Sequence, residues 1–167
     1  MEIKKPIRLV LLGLDGVGKT TLGLKLAQDL NAVYFKDHEY KRQYFGNPDY
    51  TWHATTILMQ LIPLVDRNFV FDRFFYDEYV YGKTLGRSFN QDKFNQMRVL
   101  ADKQNFKIIY VYRSLDELHA DELIDRKYVG QLEQAYMNLL EGMNHHSVYG
   151  LADYQDQLKS IVKYLNL

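Results

Sequence analysis

Three glycines, a lysine and two threonines meet in "GLDGVGKTT", residues 13–21, between the apolar run Ile7–Leu12 and a stretch with helical spacing. Glycines allow tight turns in which successive N–H groups point into one concave nest, and such a nest at a helix N-terminus binds phosphate oxygens. A lysine at the start of that helix reaches the β- and γ-phosphates of a nucleotide, and the next hydroxyl ligates Mg²⁺. The stretch therefore predicts a phosphate-binding site.

The spacing of these residues fits the P-loop pattern G-x-x-x-x-G-K-[ST], as Gly13, Gly18, Lys19 and Thr20. A glycine-rich turn without a ligand is the alternative, but the position between a strand and a helix favours phosphate binding. The residues that we predict to bind the nucleotide phosphates are Gly13, Asp15, Gly16, Val17, Gly18, Lys19, Thr20 and Thr21.

A second motif, "FVFDRFFYDEYVYG", places Asp72 and Arg73 at the end of a later apolar run. Here a carboxylate can join Thr20 in holding Mg²⁺, and an arginine can span a phosphoryl group during its transfer. A surface Asp–Arg pair is the alternative. The guanine-reading N-K-x-D and the D-x-x-G of GTPases do not occur at the expected places, and the signature of transporter ATPases is absent.

The elements that position these motifs alternate along the chain as short apolar runs and helical patterns, which is typical of an α/β fold with a parallel sheet. The predicted strands are Ile7–Leu12, Ala32–Phe35, Asn68–Phe71, Phe106–Tyr112 and Ser147–Tyr149. The predicted helices are Lys19–Leu30, Trp52–Leu64, Asn90–Asn105, Ser114–Leu123, Gln131–Gly142 and Asp153–Leu167. Function is expected at the carboxyl ends of the strands.

Composition limits the possible partners. The chain has 167 residues, of which 47% are hydrophobic, and it contains 21 basic and 21 acidic side chains and no cysteine. That balance argues against nucleic acid or an anionic membrane as a main partner. No apolar run approaches membrane-spanning length, and no linker divides the sequence. We expect one domain over residues 1–167, soluble and cytoplasmic, that binds a small-molecule ligand.

Both motifs resemble those of the thymidylate kinase and deoxynucleoside kinase group, and the thymidylate kinases more closely. Gly13–Thr20 match the family's G-[LVI]-D-G-x-G-K-[ST], and Asp72, Arg73 and Phe74 match its D-R-[YF]. The resemblance implies a P-loop NTPase fold with a five-stranded parallel sheet flanked by helices, and a short lid at about residues 119–131. It also implies transfer of the ATP γ-phosphate to a deoxynucleoside monophosphate with Mg²⁺, and Asp15 holding a hydroxyl of the acceptor sugar.

The sequence departs from this family at several positions. Lys36 stands where the family has an arginine that grips the acceptor phosphate, and Asp77 stands where it prefers a serine. These differences leave the base of the acceptor open. The lid region contains few basic residues, among them Arg126, and Arg113 after the fourth strand could supplement it at the donor. Ordinary surface charge is the alternative for both arginines.

Aromatic side chains cluster on the predicted acceptor side, where a flat base needs a ring face and an edge partner. We predict Trp52, Phe74 and Tyr81 as such contacts, with Gln60 as the edge partner, and Tyr34 belongs to the same predicted cluster. Packing in the core is the alternative for each ring, and Tyr136 follows the spacing of a core residue. The Glu39–Asp49 segment is predicted to cover this side, and His145 and His146 are predicted to lie in a loop.

These observations lead to one main hypothesis, an ATP-dependent kinase of a deoxynucleoside monophosphate, with dTMP converted to dTDP. Lys19 and Arg73 would neutralise charge, Thr20 and Asp72 would hold Mg²⁺, and Asp15 would position the acceptor. One alternative is a deoxynucleoside kinase that uses Glu39 or Asp37 as a base for the 5′-hydroxyl. The other is a nucleotide-binding regulator without turnover. The oligomeric state stays open, with a homodimer as one alternative.

Overall fold

The protein folds around a five-stranded parallel sheet in the order β2-β3-β1-β4-β5. The structure, a computed structural model, describes residues 5–36, 48–86, 89–118 and 126–166. The strands are β1 (Arg8–Leu12), β2 (Ala32–Lys36), β3 (Asn68–Asp72), β4 (Lys107–Tyr112) and β5 (His145–Tyr149). All five predicted strands are confirmed.

The largest shift in the sheet is at β5, which begins two residues before the predicted strand, whereas the bounds of the other strands differ by one residue. His145 and His146, predicted to lie in a loop, are strand residues that pair with Ile108 and Ile109 of β4. The ring of His146 stacks on Tyr164, and its Nε2 lies 3.0 Å from the Ser160 hydroxyl. Tertiary contacts of the imidazole therefore extend the strand beyond its apolar residues.

Helices cover both faces of the sheet. Within the described ranges they are α1 (Lys19–Asp29), α2 (Pro48–Leu61), α3 (Tyr76–Thr84), α4 (Gln91–Lys103), α5 (Val129–Leu140) and α6 (Tyr154–Leu165). Asp153 caps α6 as expected, since its carboxylate accepts the backbone N–H of Gln155 at 2.8 Å. None of the helices described has the length and apolar character needed to cross a membrane.

Two helix predictions need correction. The sequence predicted no helix at Tyr76–Thr84, because α3 buries a carboxylate and a glycine and so lacks an amphipathic pattern. In the described part of the predicted helix Ser114–Leu123, which ends at residue 118, there is only a 3₁₀ turn, Leu115–Glu117, after which Leu118 is extended. The predicted capping box is present, with the Ser114 N–H donating to the Glu117 carboxylate at 3.1 Å. That carboxylate also accepts the Tyr149 hydroxyl at 2.5 Å, which ties the turn to β5.

The core has β1 and β3 at its centre. Leu9–Leu12 of β1 are fully buried, as expected for a strand with helices on both sides. A cluster of phenylalanines extends from β3 towards α4, and rings of Phe71 and Phe74 stack at 4.6 Å. Buried packing therefore surrounds the ends of β1 and β3, from which the loops of the candidate site begin.

Candidate active site

The loop after β1 has the backbone of a phosphate nest. Gly13, Gly16 and Gly18 adopt φ values of 140°, 79° and 97°. At Gly13 a side chain is excluded twice over, because L-residues rarely adopt this φ and because a Cβ would collide with the carbonyl oxygen of Val111. Gly18 is the N-cap of α1 and directly precedes its first residue, so the free N–H groups at the start of that helix face the loop.

Lys19 is buried, and its side chain folds back to contact the backbone of this loop. Its Nζ donates to the carbonyl oxygens of Gly13, at 2.9 Å, and Leu14, at 2.5 Å. Burial lowers the pKa of Lys19, and the nearby Asp72 opposes that effect. The ammonium group thus lies under the nest, held by weak neutral acceptors that a phosphate oxygen would replace.

Asp72 and Thr20 lie together, as the sequence predicted for a metal site. The Thr20 hydroxyl donates to Oδ2 of Asp72 at 2.6 Å, and Asp72 is 2% exposed. Hydroxyl and carboxylate oxygens are ligands that Mg²⁺ accepts together with water and substrate phosphates, so the residues fit this ion. The described part of the chain contains no cluster of three or more His, Cys, Asp or Glu residues that would hold a metal by itself.

Tyr34 is a member of this group that sequence reasoning placed elsewhere, among the acceptor aromatics. Its hydroxyl donates at 2.8 Å to the same Asp72 oxygen that accepts Thr20. The ring lies over Gly23 of α1, where an added Cβ would be 2.8 Å from a ring carbon. Tyr34 lies two residues before Lys36 on β2, so the two side chains share one face of the sheet, and Lys36 pairs with Asp72. This alternation of side chains along β2 was the feature of the sequence that could have placed Tyr34 near Asp72.

Arg73 leaves the sheet in the left-handed conformation, with φ 69°, while its N–H still donates to the carbonyl oxygen of Leu11 at 2.9 Å. The guanidinium forms an ion pair through Nη2 with Asp15 and another through Nη1 with Asp77, the latter at 2.7 Å. Burial is the largest single influence and would lower the pKa of Arg73, but Asp77, Tyr136 and Tyr81 together more than offset it, and the pKa is raised. Arg73 is therefore a permanent cation.

Asp77 faces Arg73 and the protein interior. One of its oxygens accepts Arg73, and the other accepts the hydroxyl of Tyr136 at 2.9 Å. Tyr136, on α5, is fully buried, and burial together with Asp77 raises its pKa well above the usual value. The prediction of Tyr136 as a core residue is confirmed, and its hydroxyl makes a polar contact that the spacing did not indicate.

Asp15 lies in the glycine loop itself and faces Arg73. Besides its pair with Arg73, it accepts the hydroxyl of Tyr81 at 3.3 Å. The Arg73 guanidinium also lies 5.2 Å from the centroid of the Tyr81 ring. The structure thus brings together Asp15, Arg73 and Tyr81, three of the residues predicted to contact the acceptor.

Two further cations lie near the nest. Lys36 ends β2 beside Asp72, and its charge adds to the effect of burial in lowering the pKa of Lys19. Arg113 follows β4, and its Nη2 would lie 3.4 Å from a Cβ added at Gly18. The Nε of Arg113 is buried without a hydrogen-bond partner among the described residues. The positive charge of this guanidinium beside a phosphate nest suits an anionic ligand.

The remaining predicted residues are apart from this group or undescribed. Trp52 and Phe74 are 3% and 1% exposed, so core packing occupies their rings, and Gln60 lies on an exposed face of α2. Thr21 is exposed in the first turn of α1. Residues 119–125 of the predicted lid, the side chain of Arg126, both alternative bases and most of the Glu39–Asp49 segment lie outside the described residues.

Gly150, directly after β5, is a part of the site that the sequence analysis missed. Its N–H donates to the carbonyl oxygen of Tyr112 at 2.8 Å, and its Cα lies against the carbonyl of Val17. A Cβ at Gly150 would collide with that backbone carbonyl, which cannot move without shifting the P-loop. A glycine at the end of the last strand was the only available signal.

Gly150→Ala should therefore distort the nest. We expect the free energy of unfolding to fall by about 2 kcal/mol and the Kd for ADP to rise about tenfold, because the clash is with backbone. Thermal denaturation and calorimetric titration measure the two effects. Gly130→Ala on α5 is the matched control, since a Cβ there meets nothing within 4 Å. Equal behaviour of the two variants would contradict the proposed contact.

Comparison with known proteins bears on the fold. No family model and no curated protein matches the sequence. Solved structures match over nearly the whole chain. The YorR protein from Bacillus subtilis, solved with phosphorylated GDP, is 22% identical, with a TM-score of 0.71 over 95% of each chain. The chain has the P-loop kinase fold. This confirms the predicted five-stranded fold and agrees with the resemblance carried by the two motifs.

Other chains with this P-loop kinase fold include enzymes that act on nucleosides and nucleotides. A deoxyadenosine kinase from M. mycoides with bound dATP is 18% identical, with a TM-score of 0.65 over 96% of this chain and all of the other. Thymidylate kinase from Candida albicans is 15% identical, with a TM-score of 0.66 over 97% and 93%. At these identities the likeness concerns the fold, and the function must be argued from the site.

Proposed function

We propose that this protein is an ATP-dependent kinase of a deoxynucleoside monophosphate, with dTMP as the acceptor. The observation that carries the proposal is the meeting of three groups at the ends of β1 and β3. These are the glycine nest with Lys19, the Thr20–Asp72 pair, and Arg73 facing Asp15. The likeness to thymidylate and deoxyadenosine kinases supports phosphoryl transfer to a nucleoside or a nucleotide.

The nest and Lys19 would bind the donor. The N–H groups at the start of α1 would hold the phosphates of ATP, and Nζ of Lys19 would exchange its carbonyl partners for phosphate oxygens. Thr20 and Asp72 would hold Mg²⁺, directly or through water, and that ion neutralises charge on the β- and γ-phosphates. Arg113 beside Gly18 would supply a further positive charge on this side.

Arg73 and Asp15 would align the acceptor. An oxygen of the acceptor phosphate attacks the γ-phosphorus, the bond from that phosphorus to the bridging oxygen breaks, and ADP leaves with that oxygen. The attacking oxygen is already ionised, so this transfer needs no side-chain base. Asp15 would accept a hydrogen bond from the acceptor sugar, and Arg73 would then turn Nη2 from Asp15 to the transferring group.

One observation favours the deoxynucleoside kinase as a second candidate. Arg73 is already paired with two carboxylates, Asp15 and Asp77, so this cluster has a negative formal charge. Such a cluster opposes a dianionic acceptor and suits a neutral hydroxyl. In that case the reaction needs a base for the 5′-hydroxyl, and Asp37 or Glu39 after β2 are the candidates from the sequence.

The acceptor phosphate provides the test. Assays with ATP and a panel of nucleosides and monophosphates should show dTMP phosphorylated far better than thymidine. Lys36→Ala should raise the KM for dTMP about tenfold, because a charged contact to the acceptor dianion is lost. Lys103→Ala, at the exposed end of α4, is the control and should leave the KM unchanged.

Two outcomes would contradict the proposed function, and a third would contradict the role of Lys36. Efficient use of thymidine without activity on any monophosphate would establish the nucleoside kinase. An unchanged KM in Lys36→Ala would remove this lysine from the acceptor site. Nucleotide binding without turnover of any acceptor would indicate the regulator instead.

A further inference from the structure

In the proposed mechanism the long side chain of Arg73 must keep its position while one of its ion-pair partners is exchanged for the phosphoryl group. The guanidinium has two ion-pair partners of different character. Asp15 belongs to the P-loop, its side chain is 25% exposed, and it has a second partner in the Tyr81 hydroxyl. If Asp15 turns to the acceptor sugar, Arg73 loses this partner at the moment when its position matters most.

Asp77 is the partner that can stay. Its side chain is 7% exposed and lies in the first turn of α3, four residues after Arg73. Both carboxylate oxygens are in use, Oδ2 by Nη1 of Arg73 at 2.7 Å and Oδ1 by the Tyr136 hydroxyl at 2.9 Å. A carboxylate held at both oxygens cannot rotate to follow another cation.

Tyr136 connects this carboxylate to a different part of the fold. It lies on α5, fully buried, with its ring 5.9 Å from that of Tyr110 on β4. Because the phenol is fixed by packing, its hydroxyl gives Asp77 a rigid donor. Tyr136 on α5 thus contacts Asp77 on α3, and Asp77 contacts Nη1 of Arg73. The Nη2 group of Arg73 faces the P-loop.

We propose that Asp77 and Tyr136 are positioning residues that hold the Nη1 edge of Arg73 throughout transfer, while Nη2 passes from Asp15 to the phosphoryl group. The inference rests on the proposed kinase function for the role of Arg73. The held geometry itself can be measured without any reaction. Neither residue touches the reacting atoms; both act through the guanidinium.

The first experiment observes the guanidinium directly, by ¹⁵N NMR of the arginine side chains in the protein without ligands. Arg73→Lys assigns the signal. In the wild type we expect slow rotation of the Arg73 guanidinium, with resolved Nη signals. In Tyr136→Phe we expect rotation at least several-fold faster, because Asp77 loses its anchor. Tyr110→Phe removes a neighbouring buried hydroxyl outside the network and should leave the Arg73 signals unchanged.

The second experiment measures transfer in a double-mutant cycle. Tyr136→Phe should lower kcat about tenfold, with a KM for ATP within twofold of wild type. In an Arg73→Lys background the same change should have almost no effect, because the group through which Tyr136 acts is gone. A merely structural loss would lower kcat by the same factor in both backgrounds. Asp77→Asn, which keeps a partner for Tyr136 but removes the charge, should reduce kcat further.

The outcomes separate this inference from the proposed function. Unchanged Arg73 rotation in Tyr136→Phe, or equal kcat losses in both backgrounds, would overturn the positioning role. A wild-type protein without phosphoryl transfer to any acceptor would overturn the kinase, and the NMR result would still decide whether Arg73 is held as described. If Asp77→Asn does not fold, Tyr136→Phe, which loses only one hydroxyl, still decides the question.

Discussion

Lys19→Ala is expected to remove phosphoryl transfer and to leave the fold intact. The nest is formed by the backbone of Gly13–Gly18 and does not need the side chain. Without Nζ, charge that develops between donor and acceptor loses a desolvated cation, and kcat should fall about 10³-fold. Steady-state kinetics with ATP and dTMP measure the loss, and circular dichroism checks the fold.

Lys25→Ala is the matched control for this change, because Lys25 is an exposed lysine on the same helix. It should retain wild-type activity. Near wild-type turnover in purified Lys19→Ala would show that the loop is not a catalytic phosphate site, whatever its sequence pattern.

Arg73→Ala is the second change with a large expected effect, and it should affect both activity and stability. Loss of the guanidinium at the transferring group should lower kcat about 10³-fold. The variant also leaves Asp77 buried without its cation, which should lower the free energy of unfolding by about 3 kcal/mol. Kinetics and denaturant titration measure the two effects.

Arg67→Ala serves as its control. Arg67 is exposed and directly precedes β3, at the opposite end of that strand from Arg73. Arg67→Ala should change neither kcat nor the free energy of unfolding. An Arg73→Ala protein that loses stability but keeps its kcat would restrict Arg73 to a structural role and would also remove the basis for positioning by Tyr136.

Most of the fold followed from local patterns. The five strands are short apolar runs, and a parallel sheet buried on both faces produces such runs wherever it occurs. The pattern failed where tertiary contacts decided the conformation. Helix α3 has no apolar stripe because Asp77 on its buried side is neutralised by Arg73. The turn at Leu115–Glu117 stops early although its cap is present.

The sequence by itself determined those parts of the candidate site that consist of neighbouring residues in the chain. The P-loop needs glycines, a lysine and a threonine at fixed spacing, since a nest and the helix that follows it are one continuous piece of backbone. Likewise, Asp72 and Arg73 follow a strand whose end must lie beside the end of β1. Their closeness to the P-loop was therefore predictable.

Only the tertiary structure decided which distant side chains complete the site. Tyr34 reaches Asp72 across 38 positions and Tyr136 reaches Asp77 across 59. Gly150 is required because the backbone of Val17 passes against it. A tyrosine in a core pattern, or a glycine after a strand, has the same appearance in sequence whether or not it contacts a functional group. Burial and contact depend on how distant segments pack, and no local pattern contains that information.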